Sequence, residues 1–209
     1  VIESSTIGEA WIAIARVIIE SGVASTYDGS AIREVLMTTI TVKDPGATDN
    51  IVERFVDPER LAWMRRNFVD FSEVRELGNA DSYATRLHNY AGTGLDQLRA
   101  VSDRLRSDPL SRSAAITTFQ PLSDTSYVPC VSLLDFYVHD DQVHLVVYAH
   151  SIDFGAKGYA NLLELAVIQH QVAAELDRAV GPLTMIVKSA HVYDSDVAYM
   201  SVVLDNFRH

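Results

Sequence analysis

The stretch CVSLLDFYVHDDQVHLVVYAHSIDFGAKGYANLLELA, residues 130–166, carries the reading of the fold. Cys130–Val138 and the run QVHLVVYAHS, residues 142–151, are rich in the branched and aromatic side chains that suit a pleated, half-buried surface. Only His139, Asp140 and Asp141 separate the two runs, a connection short enough for a hairpin. The pattern then changes. YANLLELAVIQHQVAAELDRAV, Tyr159 to Val180, is apolar around much of its circumference, which predicts a buried central helix. A further strand is expected at LTMIVKSAHVY, residues 183–193. Two strands feeding a buried helix and returning to a strand describe a mixed sheet packed on helices.

Upstream, Ser5 or Thr6 can cap a helix running to about Glu20, with Ile7, Trp11, Ile14, Val17 and Ile18 at helical spacing and Gly22 closing it. EVLMTTITV, Glu34–Val42, is rich in β-branched residues and predicts a strand, ended by KDPGATDN. PERLAWMRRNF, Pro58–Phe68, opens with a proline suited to a helix's first position. Helices are expected near Ser82–Tyr90 and Leu95–Ser107, and a strand in RSAAITTF, residues 112–119. No repeat, low-complexity tract or linker interrupts the chain, so residues 1–209 read as one domain.

Of 209 residues, 48% are hydrophobic and 22% charged, enough for a sizeable core. The net charge of −11 repels a phosphate backbone and argues against a nucleic-acid polymer as partner. A small phosphorylated ligand needs only a few local cations. No apolar run reaches the ~18 residues of a membrane span, and the acidic, unbasic start does not read as a signal peptide. A single cysteine permits no internal disulfide, which fits a reducing, cytoplasmic setting. The seven histidines are dispersed, so no metal site is expected.

That cysteine, Cys130, is either a buried small hydrophobe or a nucleophile. His150, Ser151, Asp153 and Asn161 stand just before or at the start of the apolar helix, and His191 and Tyr193 alternate on the last strand, hence share a face. Polar groups leading into such elements must find partners. Taken singly, each is explained by structure alone.

Their order is similar to that of the thymidylate synthase and cytidylate hydroxymethylase family. VPC, FYV, AHSID, an asparagine eight positions on and AHVY resemble the family's proline–cysteine, FYV, QRSxD, asparagine and AHIY blocks. DPLSRS resembles DPxSRR, and SYATRLHNY with DQL resembles the family's YGxR and DQ region. Within the family, the pattern is most similar to the cytidylate hydroxymethylases of nucleoside-antibiotic (mildiomycin) biosynthesis. The resemblance implies an α+β, thymidylate synthase-like fold: a mixed β-sheet packed with a long buried central helix and flanking helices. It implies 5,10-methylenetetrahydrofolate as one-carbon donor, a pyrimidine nucleoside monophosphate as substrate, and a homodimer in which Arg112 reaches the partner's site. Cys130 then adds to the pyrimidine C6 and makes C5 nucleophilic, splitting one hard step into two easier ones. A thiolate needs a nearby cation, for which Arg112 and His150 are candidates. Ser151 takes the phosphate, Asn161 the base edge, His191 and Tyr193 the sugar hydroxyl, and Asp153 the pterin edge. Tyr83 assists proton removal from C5. Glu59, in the first turn of its helix, is the candidate for the water-ordering glutamate; an exposed residue favoured by the helix dipole is its structural alternative.

Five departures from the family bear on function. His150 replaces the QRS arginine and Ser113 the second arginine of SRR, while STYDGS (25–30) stands where a phosphate arginine is usual. Arg33 is one substitute for that arginine, or simply an exposed charge. Val131 follows the cysteine where thymidylate synthases have histidine, which favours cytosine over uracil. The tryptophans that shield the methylene intermediate are missing from Met64 to Ser82, and a wetter wall favours hydroxymethyl over methyl product. The alternatives are a thymidylate synthase or deoxyuridylate hydroxymethylase, and, from another class, a non-catalytic nucleotide-binding relative.

Overall fold

The computed structural model describes residues 1–125 and 127–207. In chain order the elements are β1 (Ile2–Ser4), α1 (Ile7–Ser21), β2 (Val23–Tyr27), β3 (Ser30–Val42), α2 (Asn50–Phe55), α3 (Pro58–Val69), β4 (Glu73–Val74), β5 (Ala80–Asp81), α4 (Tyr83–His88), α5 (Gln97–Ser107), β6 (Ala115–Thr117), β7 (Val131–His139), β8 (Gln142–Asp153), α6 (Gly158–Glu175), β9 (Ala179–Tyr193) and α7 (Asp194–Asp205).

Local chemistry accounts for most boundaries. Thr6 caps α1 through a capping box: its hydroxyl accepts the Glu9 amide and the Glu9 carboxylate accepts the Thr6 amide. Trp11, Ile14 and Ile18 are fully buried, whereas Val17, expected on the same stripe, is 38% exposed at its edge. Gly22 ends the helix with extended backbone, and a Cβ there would lie 2.4 Å from the Ile18 carbonyl oxygen. Pro58 opens α3 as expected, capped by the Asp57 carboxylate.

Asp28 and Gly29 both take positive φ (47° and 75°), the turn that joins two strands of a tight hairpin. This Asp-Gly signal was present in the sequence. It creates β2, not anticipated, and carries β3 back to Ser30 from the expected start at Glu34. Two helices were also unforeseen, α2 and α7. The central helix ends at Glu175, not Val180, because Asp177 turns through φ 52° and Ala179–Val180 already pair with β8.

The main sheet has the order β1-β3-β9-β8-β7-β6, with β2 also on the β3 edge. β8 and β9 are parallel, joined by α6 as the crossover, while the β3–β9, β7–β8 and β6–β7 pairs are antiparallel. This is the mixed α+β sheet with a buried central helix. α6 buries apolar residues on nearly every side, and the Gln169 amide donates to the carbonyls of Val143 and Gly181, tying the helix to both parallel strands. Along β8, Val143, Leu145, Val147 and Ala149 are buried on the face packed by α6, while His144, Val146, Tyr148 and His150 on the other face remain half exposed. One hydrophobic cluster extends from Ile7 to Leu204.

Candidate active site

Where β8 passes into α6, a cavity of about 390 Å³ opens at the end of the sheet. Cys130, Tyr83, Ser151, Asp153, Asn161, His191 and Tyr193 all line it, brought together from four elements and the segment before β7. The topology explains this convergence. β9 lies beside β8 with Asp153 opposite His191, and the β7–β8 pairing sets Val131, next to the thiol, opposite Ala149.

Each side chain meets a particular environment. Cys130 is free, and burial pushes its thiol pKa up; Lys157 and then Tyr127 act against that rise. Tyr83 stacks on Phe68 (centroids 4.4 Å apart), and its hydroxyl oxygen accepts the Val131 amide at 3.1 Å. Burial raises its pKa well above the phenolic value, so the phenol is a proton donor at neutral pH. His191 is 2% exposed, and burial lowers its pKa, so the ring is neutral. Its Nδ1 lies 3.4 Å from the Ser151 hydroxyl, while Nε2 is buried without a partner among the described residues. An orphaned ring nitrogen beside a cavity awaits a ligand group. Tyr193, raised to about 12 by burial and then by Asp153, packs edge-on against His191. Asn161 donates its amide to the Lys157 carbonyl at 3.2 Å, which leaves its oxygen as an acceptor.

Asp153 accepts the Gly155 amide at 2.9 Å, and burial, then Asp196, raises its pKa to about 6. A half-buried carboxylate with a lone-pair side still available suits two N–H groups on one edge of a pterin. This acceptor fits the folate co-substrate that the resemblance implies.

Four expected residues are not brought to this cavity. Glu59 is exposed in the first turn of α3, where its amide donates to the Asp57 cap; the carboxylates that do line the cavity are Asp28, Glu76 and Asp153. His150 precedes Ser151 on β8 and so takes the opposite face, touching Cys130 only through its backbone amide at 3.0 Å. Arg112 is exposed in the loop before β6. Arg33 is exposed and does not line the cavity either. Val131 is fully buried in the core. The wall does hold an indole, that of Trp63, with the Lys157 ammonium 5.2 Å above its ring. Of the two phenylalanines between Met64 and Ser82, Phe68 is buried against Tyr83 and Phe71 is exposed.

Several lining residues gave no warning in the sequence. Tyr27 and Asp28 arrive at the tip of the β2–β3 hairpin, Tyr27 5.7 Å from His191. Tyr127, Asn67 and Lys157 join them. The Asp-Gly turn was the one available signal for the hairpin. Of the block that resembled YGxR and DQ, Tyr83 reaches the cavity while the rest is scaffold: Arg86 is buried against Asp124, and Gln97 donates to the carbonyls of Arg86 and Thr117. Among the described residues no three His, Cys, Asp or Glu side chains form a group that could hold a metal ion, and no helix is long and apolar enough to cross a membrane.

Comparison with known proteins agrees with this geometry. Residues 46–207 match the family model described as thymidylate synthase. A protein named "Putative thymidylate synthase" from Methanosarcina barkeri is 33% identical over 204 residues, covering 94% of this chain and 90% of its own. A "Deoxyuridylate hydroxymethyltransferase" from Bacillus phage SP01 is 34% identical over 146 residues, 63% of this chain and 38% of its own. These relatives support the family as a whole and not the narrower cytidylate branch.

Proposed function

Since the chain belongs to the thymidylate synthase family, a folate-dependent family that transfers one carbon to C5 of a pyrimidine nucleotide, we propose that it is a pyrimidine nucleotide 5-hydroxymethylase acting on cytidylate. The observation that carries the site is His191 Nε2, buried without a partner among the described residues, in the cavity that the free Cys130 also lines. Cys130 adds to C6 of the base. Tyr83, protonated and fixed by the Val131 amide, serves the proton transfer at C5. Asn161 meets the base edge, His191 and Tyr193 the sugar hydroxyl, and Ser151 the phosphate. Asp153 holds the pterin of 5,10-methylenetetrahydrofolate, which supplies the one-carbon unit. Glu76 takes the water-ordering part first given to Glu59.

Asn161 does not decide the base: its amide can present oxygen or NH₂ to the pyrimidine edge, and an acceptor oxygen suits the N3–H of uracil as well as the 4-amino group of cytosine. Cytosine is favoured by Val131, since a histidine network at the base's O4 edge is missing. Hydroxymethyl is favoured because the one indole of the wall carries an ammonium, a group that keeps water at the reacting face. The second reading is a thymidylate synthase or a deoxyuridylate hydroxymethylase, and the names of the two relatives above favour it. We also propose a homodimer. The half-exposed sheet face, with Leu133, Tyr148 and Ile186 in one cross-strand row, suits a second copy. The partner's Arg112 would then add a cation for the phosphate.

Tritium release from C5 of CMP, dCMP, UMP and dUMP, followed by the product's mass, tests the assignment. CMP released fastest, with hydroxymethyl product, is the expected result. A methylated product with dihydrofolate, or a preference for dUMP, overturns it in favour of the second reading. Absence of a Cys130 adduct with 5-fluoropyrimidine nucleotides would leave a binding protein.

A further inference from the structure

The cavity is acidic. Asp28, Glu76 and Asp153 line it, and Lys157 is the one Lys or Arg side chain among its described lining residues. Burial disfavours a thiolate at Cys130, so a cation must stand close if the sulfur is to react near neutral pH. Neither candidate named from the sequence does so: His150 takes the other face of β8, and Arg112 is exposed outside the cavity.

Lys157 is placed differently. It stands at the N-cap of α6, an exposed residue that also lines the cavity, and its ammonium, a donor only, cannot be taken up in capping the helix amides. Its ammonium makes no salt bridge among the described residues and rests 5.2 Å from the Trp63 ring centroid. An aromatic face holds a cation without neutralising it. The charge therefore stays available to the cavity, at the helix end where the backbone dipole is also positive. We propose that Lys157 is the positioning residue that holds Cys130 as the nucleophilic thiolate, a part the resemblance assigned to residues that lie elsewhere. The proposal rests on the reading of Cys130 as the C6 nucleophile.

In the step it serves, the S–H proton leaves to solvent and the freed sulfur pair forms the S–C6 bond. The C5=C6 π pair moves to C5, ready for the one-carbon unit of the folate co-substrate. Lys157 keeps its own protons throughout and acts only through the sulfur. The groups around the thiol are mutually consistent with this role. Tyr127, from the same segment, supports ionisation; Asp153 from β8 opposes it; Tyr83, Tyr27 and Tyr193 face it from α4, the hairpin and β9. Of all these influences, Lys157 is the strongest in favour of the thiolate.

The chain holds one cysteine, so its alkylation by iodoacetamide reports on Cys130 alone. Rates across about pH 6–10 are compared for the wild type, Lys157→Met, Lys157→Arg and His150→Ala. Lys157→Met is expected to move the midpoint up by about one unit and slow labelling near neutrality about tenfold, with Lys157→Arg restoring most of it. The His150→Ala variant keeps the wild-type midpoint. Should Lys157→Met melt early by circular dichroism, Lys157→Gln takes its place, since it preserves length and polarity. A Lys157→Met or Lys157→Gln profile that overlays the wild type overturns the proposal, as does a shift that Arg fails to restore. The readout needs no turnover. A shifted midpoint with no 5-fluoropyrimidine adduct would uphold Lys157 as the thiol's partner while removing the proposed function.

Discussion

Replacing Arg86 with Met tests how the scaffold holds the thiol segment. Arg86 is 1% exposed, and its guanidinium donates to both Asp124 carboxylate oxygens at 2.8 Å, to the Thr118 carbonyl at 2.8 Å and to the Asp81 carbonyl at 3.0 Å. Asp124 is itself only 5% exposed and keeps, beyond Arg86, the Gln120 amide at 2.7 Å. Met fills similar length without a charge, so the carboxylate is left buried with one remaining donor. Breaking such a pair costs about 3–5 kcal/mol, far above a surface ion pair. At roughly 2–4 °C per kcal/mol for a domain of this size, melting should fall by about 6–20 °C. Arg86→Met/Asp124→Leu removes both charges and should recover about 2 kcal/mol of the loss, because no unpaired ion remains. Urea unfolding of the wild type, both singles and the double variant measures the coupling directly. A loss below about 1 kcal/mol for Arg86→Met, or additive single effects, would falsify the reasoning.

Two further outcomes follow from the geometry. Asp153 has a folded pKa raised to about 6, so the fold gains from its protonation at low pH, and that gain fades as pH rises from the unfolded carboxylate range through about 6. If the ionised form binds the pterin, activity should rise through the same window. Asp196→Asn removes the neighbouring charge that helps raise this pKa, and should carry the acid limb to lower pH; a limb that stays or moves up contradicts the assignment. Gly158→Ala places a Cβ 2.5–3.0 Å from the buried Phe154 ring at the start of α6. Despite alanine's better helix propensity, it should lose about 1–3 kcal/mol in urea unfolding, and an unchanged midpoint would contradict the packing.

The elements legible in the sequence are those with a strong local signal. The capping box at Thr6, Pro58 at the head of α3, and the alternating runs of β7 and β8 all formed as read. α7 was missed, and it carries little contrast between its faces: Tyr199 and Val202 remain exposed while Met200 and Val203 are buried. β2 was missed because a five-residue edge strand exposes most of its side chains and shows no alternation. For the site, the same division holds. Cys130, Tyr83, Ser151, Asp153, Asn161, His191 and Tyr193 could be named from ordered blocks and do share a cavity.

What the sequence determined by itself was local: where helices and strands start, and which residues of a strand share a face. Tertiary structure alone decided which face meets the cavity. One step along β8 sends His150 away and Ser151 in, since successive strand residues point to opposite sides. It also decided that Lys157 stands with Cys130, from 27 positions along the chain by residue number, and that Tyr27 reaches His191 across the hairpin. Charges and hydrogen bonds act through distance in space, and only the order β3-β9-β8-β7 converts separations along the chain into that distance.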